Sequence, residues 1–311
     1  MYRFWLLAAG AGLVSAAAFL IGIRLGLGGS YPGLMLVYLS PAPVFGAALG
    51  LGGSAGFIAA AAGLVLVALV NGIPDGLGYA VLAAAPAAIL GRQAMLSRSN
   101  EAGGVEWYPP GALAGWLCGI GAAALTLLCV LLASQPPGLS GTVREMLMEL
   151  AAWMKVPDDD LDLFVGFLHP ILPGASVAFF MLLQVANGAL AQALLSASRR
   201  ALRPAPDLGA LELPGWIATG GAVAALAAIL LGGDYGYYAR NLVFVAAVPF
   251  FLQGLSVVHV LARKTGGGAM LLAVFYVTLV LLAWVSIMLV LLGLVEQIVG
   301  LRRRMNSEDK A

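Results

Sequence analysis

Charge is what this sequence has least of. Only 10% of its residues are Asp, Glu, Lys or Arg, 61% are hydrophobic, and the mean hydropathy is +0.97. A soluble domain carries about 25% charged residues. This chain cannot cover a water-facing surface, which excludes a soluble globular protein. A net charge of +1 gives no electrostatic case for nucleic acid, whose binding rests on Lys and Arg set against phosphates. Histidine is also scarce. His169 and His259 lie on different apolar segments, and neither has a Cys or His at metal-ligand spacing, so no metal site is expected. The two cysteines, Cys118 and Cys129, share one apolar run. On a helix they lie roughly 16 Å apart along the axis, too far for a disulfide. There is no G-x-x-x-x-G-K-[ST] loop, no H-E-x-x-H and no readable Ser/His/Asp set. No enzyme activity, no cofactor and no built-in ATPase is therefore expected.

What the chain has is long apolar runs. A membrane-crossing helix needs about 20 such residues. Candidate spans are 4–23, 31–51, 55–73, 77–93, 111–133, 164–197, 215–233, 241–262 and 269–300. The expected fold is an all-α, polytopic transmembrane bundle of eight to nine spans in one membrane domain, residues 1–311. A weak division separates four spans in 1–107 from the remainder in 108–311. The first run is too long for a cleavable signal and no A-x-A-like site follows it, so it reads as a retained span. SPAPVFG puts Pro41 and Pro43 inside the second span. Proline breaks the helical ladder, and broken backbone at membrane depth must be covered by protein or line a cavity. IPDG at 73–76 reads as the turn between spans three and four.

Positive charge orients the bundle. With the N-terminus cytoplasmic, Arg3, Arg92, Arg98, Arg199, Arg200, Arg203, Arg263 and Lys264 fall inside, and the link carrying Asp158, Asp159, Asp160 and Asp162 falls outside. This places a multi-pass protein in the inner (plasma) membrane, surrounded by lipid. Arg302, Arg303 and Arg304 conflict with that arrangement if 269–300 is one crossing. Within the outer link, GTVREMLMELAAWMK (141–155) carries Val143, Met146, Leu147, Leu150 and Met154 at helical spacing. It reads as an amphipathic helix that rests on the membrane surface or lids an outward-opening cavity.

Few polar residues interrupt the spans. Gln253, Ser256 and His259 are spaced three apart, so each steps back about 60° round a helix and the three form a slanted row. Gln184 and Asn187 form a second row, and His169 opens the same span in HPILPG. Buried polar groups in lipid need partners. These six either fasten helices together or line a ligand site. Glu296, the one acid well inside the last run, either serves function or pairs with Arg302 or Arg303. Ala8, Gly12 and Ala16 give the first span a small-residue face for close helix contact, within the chain or with a partner membrane protein.

Three stretches carry a resemblance: SPAPVFGAALG, VPFFLQGLSVVHVLARK and LVLLGLVEQIVGLRRRM. Across about residues 8–304 the chain resembles the YybS-like family of bacterial integral membrane proteins, a domain of unknown function. The Phe251-Leu252-Gln253-Gly254 piece followed by His259, and the closing Leu292-Gly293-Leu294 followed by arginines, are the matching motifs, with Glu296 at the acid position. The resemblance implies a distant likeness to the substrate-binding subunits of energy-coupling-factor transporters and to the cell-shape protein MreD. From the first follows a transport-type protein that binds or moves a small molecule without its own ATPase. From the second follows a non-catalytic membrane scaffold. The transporter subunits usually have about six spans, fewer than are expected here, and no vitamin-specific motif is visible.

Overall fold

The computed structural model describes residues 2–27, 29–99 and 103–308. Their helices are α1 (Tyr2–Leu27), α2 (Tyr31–Leu39), α3 (Pro41–Leu51), α4 (Gly53–Asn71), α5 (Ile73–Tyr79), α6 (Ala85–Ala94), α7 (Pro110–Ala133), α8 (Leu139–Met154), α9 (Asp158–Leu168), α10 (Leu172–Ala197), α11 (Gly215–Leu230), α12 (Gly233–Lys264), α13 (Gly268–Leu281), α14 (Val285–Val299) and α15 (Leu301–Glu308). A π-turn at Ala80–Ala84 joins α5 to α6. One two-stranded hairpin, β1 (Ser97–Ser99) with β2 (Val105–Trp107), pairs Arg98 with Glu106 at 2.8 Å. That exposed guanidinium holds the Glu106 carboxyl below the usual carboxylate range.

The fold is all-α. Among the described residues, seven helical stretches are long and apolar enough to cross a membrane, or eight if α13 and α14 make one broken span. Two of the nine expected spans account for the difference. Residues 215–230 are apolar but short, and the ninth segment is broken. The segment read as 164–197 is also divided, because Pro170 and Pro173 separate α9 from α10. The reversal between spans three and four sits at Gly72 (φ +99°), a backbone conformation that favours glycine, so IPDG is the first turn of α5 and not the turn itself.

By internal packing the chain forms two compact units. One holds the described residues up to Leu117 together with Phe180–Asp207, and the other holds Cys118–Phe179 with the described residues from Leu208. In the first unit, α1 docks on α4 through the small-residue face. Ala8, Gly12 and Ala16 are buried, and a Cβ added at Gly12 would overlap the Ala59 backbone. Phe19, Leu20, Val67, Tyr79, Ala83 and Ala84 continue that core.

In the second unit, α12 is the central helix. Gly254 and Gly293 bring α12 and α14 into backbone contact, since a Cβ at either would overlap a carbonyl of the other helix. α13 and α14 meet at a 119° bend, so the second helix turns back. Arg302 arrives beside Ser256 on α12 (2.7 Å), toward the helix end that carries Arg263 and Lys264. A turned-back pair leaves the closing arginines on the same side as those two and removes the charge conflict. α8 is amphipathic, but its buried stripe is Leu139, Val143, Leu147 and Ala151. Met146, Leu150 and Met154 point outward. α9 begins at the acidic run, with Asp158, Asp159 and Asp160 in its first turn, where carboxylates favour the helix dipole.

Candidate functional site

Proline accounts for three of the polar contacts inside the helices. A proline has no N–H, so the carbonyl four residues earlier loses its helical donor. In hydrocarbon that carbonyl must find another. Pro41 leaves Val37 open, and Ser40 answers with its N–H (3.2 Å) and its hydroxyl (2.7 Å). Pro86 leaves Leu82 open, and Gln184 Nε2 donates to it at 3.0 Å. Pro173 leaves His169 open, and the Tyr237 hydroxyl donates to its carbonyl at 2.5 Å. Pro249, inside α12, has no such side-chain answer at Val245 among the described residues.

The first unit gathers these devices around one place. Ser15 donates to the Ser40 carbonyl (2.5 Å) and shares a hydrogen bond with the Tyr79 hydroxyl (2.7 Å), all three side chains being fully buried. Asn187 Nδ2 donates to the Tyr38 and Leu183 carbonyls, both at 2.8 Å. A cavity of about 40 Å³ lies where the α2–α3 break, the π-turn and α10 meet, with Tyr38, Ser40, Leu82 and Gln184 in its lining. That is room for roughly one or two waters. The Gln184 amide nitrogen must face Leu82, because a carbonyl only accepts. Its Oε1, and Oδ1 of Asn187, have no partner among the described residues.

The row on α12 is built differently. Ser256 donates to the Leu208 carbonyl (2.5 Å) and accepts from Arg302 Nη1 (2.7 Å). His259 Nδ1 lies 2.9 Å from the Leu255 carbonyl, so it carries the proton, and Nε2 accepts from the Tyr276 hydroxyl at 3.3 Å. Neither ring nitrogen is free. Gln253 is buried with Oε1 unpartnered. Glu296 bonds Arg302 at 2.8 Å, both side chains buried, and Arg302 also donates to the Gly209 (2.8 Å) and Leu211 (2.6 Å) carbonyls. Arg302 therefore ties α14, α12 and the 208–211 segment together.

A Ser, a His and an Asp do meet at the other end of the second unit. Asp234 accepts from the N–H groups of Leu139 and Ser140, both at 3.1 Å, and so caps α8. His169 Nε2 lies 2.9 Å from the Ser140 carbonyl and 3.2 Å from its hydroxyl. A nitrogen that donates to a carbonyl cannot also take the serine's proton, and Asp234 holds a helix end, not the imidazole. This is not the arrangement of a nucleophile and its base. Among the described residues no three His, Cys, Asp or Glu side chains group as metal ligands would. Cys118 and Cys129 are free and buried.

Of the sequence candidates, Gln184 and Asn187 come together near the cavity, while Gln253, Ser256, His259 and His169 lie in the other unit. Ser15, Ser40, Tyr79, Tyr237 and Asn241 were not foreseen, whereas Arg302 is one of the two partners expected for Glu296. Asn241 accepts from the Gly174 N–H (2.8 Å), where an added Cβ would overlap the Asn241 backbone. The proline offset marks which carbonyls need donors, but not which side chains supply them.

Long apolar helices, broken spans and polar groups paired inside them define a polytopic helical membrane protein. The chain belongs to the family described as "Predicted membrane protein (DUF2232)", whose model matches residues 16–296. The YybS-like resemblance falls within this family. No curated protein and no solved structure matches the chain.

Proposed function

We propose that this chain is a transport-type membrane protein that binds a small molecule, has no ATPase of its own and is not an enzyme. The observation that carries the reading is the convergence in one unit of a broken span, a π-turn and a cavity lined by Gln184, whose amide oxygen has no partner. Breaks in spanning helices are tolerated where they line a cavity, and transporters place binding sites at such breaks. In this reading the amide nitrogen of Gln184 secures the π-turn and its oxygen, with that of Asn187, meets the solute. A drug-sized ligand needs about 300 Å³ or more, so the cavity of about 40 Å³ is the closed state. The chain opens at Ser40, where α2 and α3 separate. The protein sits in the inner membrane with its N-terminus cytoplasmic, which groups the turned-back arginines with the other inside charges.

Native mass spectrometry of the protein in mild detergent tests this. The expected result is an adduct of a few hundred daltons that is absent from a folded Gln184→Met variant. A bare chain in both, co-purifying with another membrane or envelope protein, would favour a scaffold instead.

A further inference from the structure

The α13–α14 hairpin leaves main-chain groups open where lipid cannot satisfy them. No charged residue lies between Lys264 and Glu296, and the turn at Leu282–Trp284 is near the middle of that run. Such a run belongs in hydrocarbon. Part of the turn is well bonded. Leu282 N–H reaches the Thr278 carbonyl at 2.8 Å, and Val285, Ser286 and Ile287 reach Leu282, Ala283 and Trp284 at 2.9, 3.1 and 3.0 Å. The N–H groups of Ala283 and Trp284 reach no acceptor among the described residues, and the carbonyls of Leu279, Val280 and Leu281 receive no N–H from the turn. The side chains around them are bare: Val280 is 82% exposed, Leu281 74% and Trp284 58%. α13 has no buried residue at all. Irregular backbone facing lipid is not a stable arrangement.

We propose that this tip is the interface of a twofold homodimer. Unpaired donors and unpaired acceptors sit on the same turn, so the surface complements itself, as a twofold interface requires. Ala283 and Trp284 N–H of one copy would meet the Leu279–Leu281 carbonyls of the other, with Val280, Leu281 and Trp284 packed around them. Lipid supplies neither partner.

The test is disulfide crosslinking in native membranes, with Cys118 and Cys129 replaced by alanine. Leu281→Cys, and separately Val280→Cys, should give an oxidant-dependent dimer at least tenfold above a Leu69→Cys control on the exposed face of α4. The dimer mass should reappear in native mass spectrometry of the unmodified chain. Three results would overturn the proposal: equal yield from the control, rapid labelling of a monomeric Leu281→Cys chain by a water-soluble maleimide, or crosslinking only to a different protein.

Discussion

Glu296→Ala is expected to destabilise the protein by about 3–5 kcal/mol, the cost of leaving a buried charge without its partner. Arg302 would keep its bonds to the Gly209 and Leu211 carbonyls and to Ser256. Those groups carry no net charge to balance a guanidinium that is nearly sealed from solvent. The same principle predicts the rescue. Replacing both partners with apolar residues of similar volume, Glu296→Leu with Arg302→Met, should recover most of the loss. Thermal unfolding in detergent, followed by loss of the monodisperse species, reads both. If the double variant is as unstable as Glu296→Ala, the pair does more than balance charge, and its contacts with the 208–211 segment dominate.

Gly293→Ala is the second large effect. A methyl group there would overlap the Phe250 carbonyl, and the neighbouring Gly254 faces the Leu289 carbonyl in the same way. The obstacle is backbone on both sides, so no side chain can rotate out of the way. Overpacking typically costs about 1–3 kcal/mol, and this site belongs at the upper end. Gly119→Ala, where an added Cβ meets nothing within 4 Å, should be nearly neutral. The comparison can be made by the midpoint of thermal unfolding of the two variants. Equal midpoints would mean that α12 and α14 are not in backbone contact.

Much of this was legible beforehand because apolar length is a local property. The spans, the amphipathic helix at 139–154 and the broken second span follow from runs, periodicity and proline. The turn at Leu282–Trp284 was not legible. Leu-Leu-Ala-Trp contains neither proline nor glycine, so the bend is set by packing of α14 on α12. The mixed roles of the polar residues were hidden for a related reason. Gln184 and Leu82 are far apart in sequence, as are Ser256 and Arg302, and only the fold brings them together. Ser15 and Ser40 stand in apolar runs with no motif to mark them, yet both are buried hydrogen-bonding groups. The stripe on α8 was half right. Periodicity finds an apolar face, but which edge of it turns inward depends on the neighbouring helices.

Buried side chains answer the carbonyls that Pro41, Pro86 and Pro173 leave open, and Pro86 with Gln184 is the sharpest case. Gln184→Met alone should cost about 1–3 kcal/mol, because the Leu82 carbonyl loses its donor. In a Pro86→Ala background the restored N–H at residue 86 can serve that carbonyl, and the same substitution should cost far less. A double-mutant cycle on these two positions, read by unfolding in detergent, is the most direct measurement. The expected coupling is about 1 kcal/mol or more. Costs that simply add, within about 0.5 kcal/mol, would contradict it.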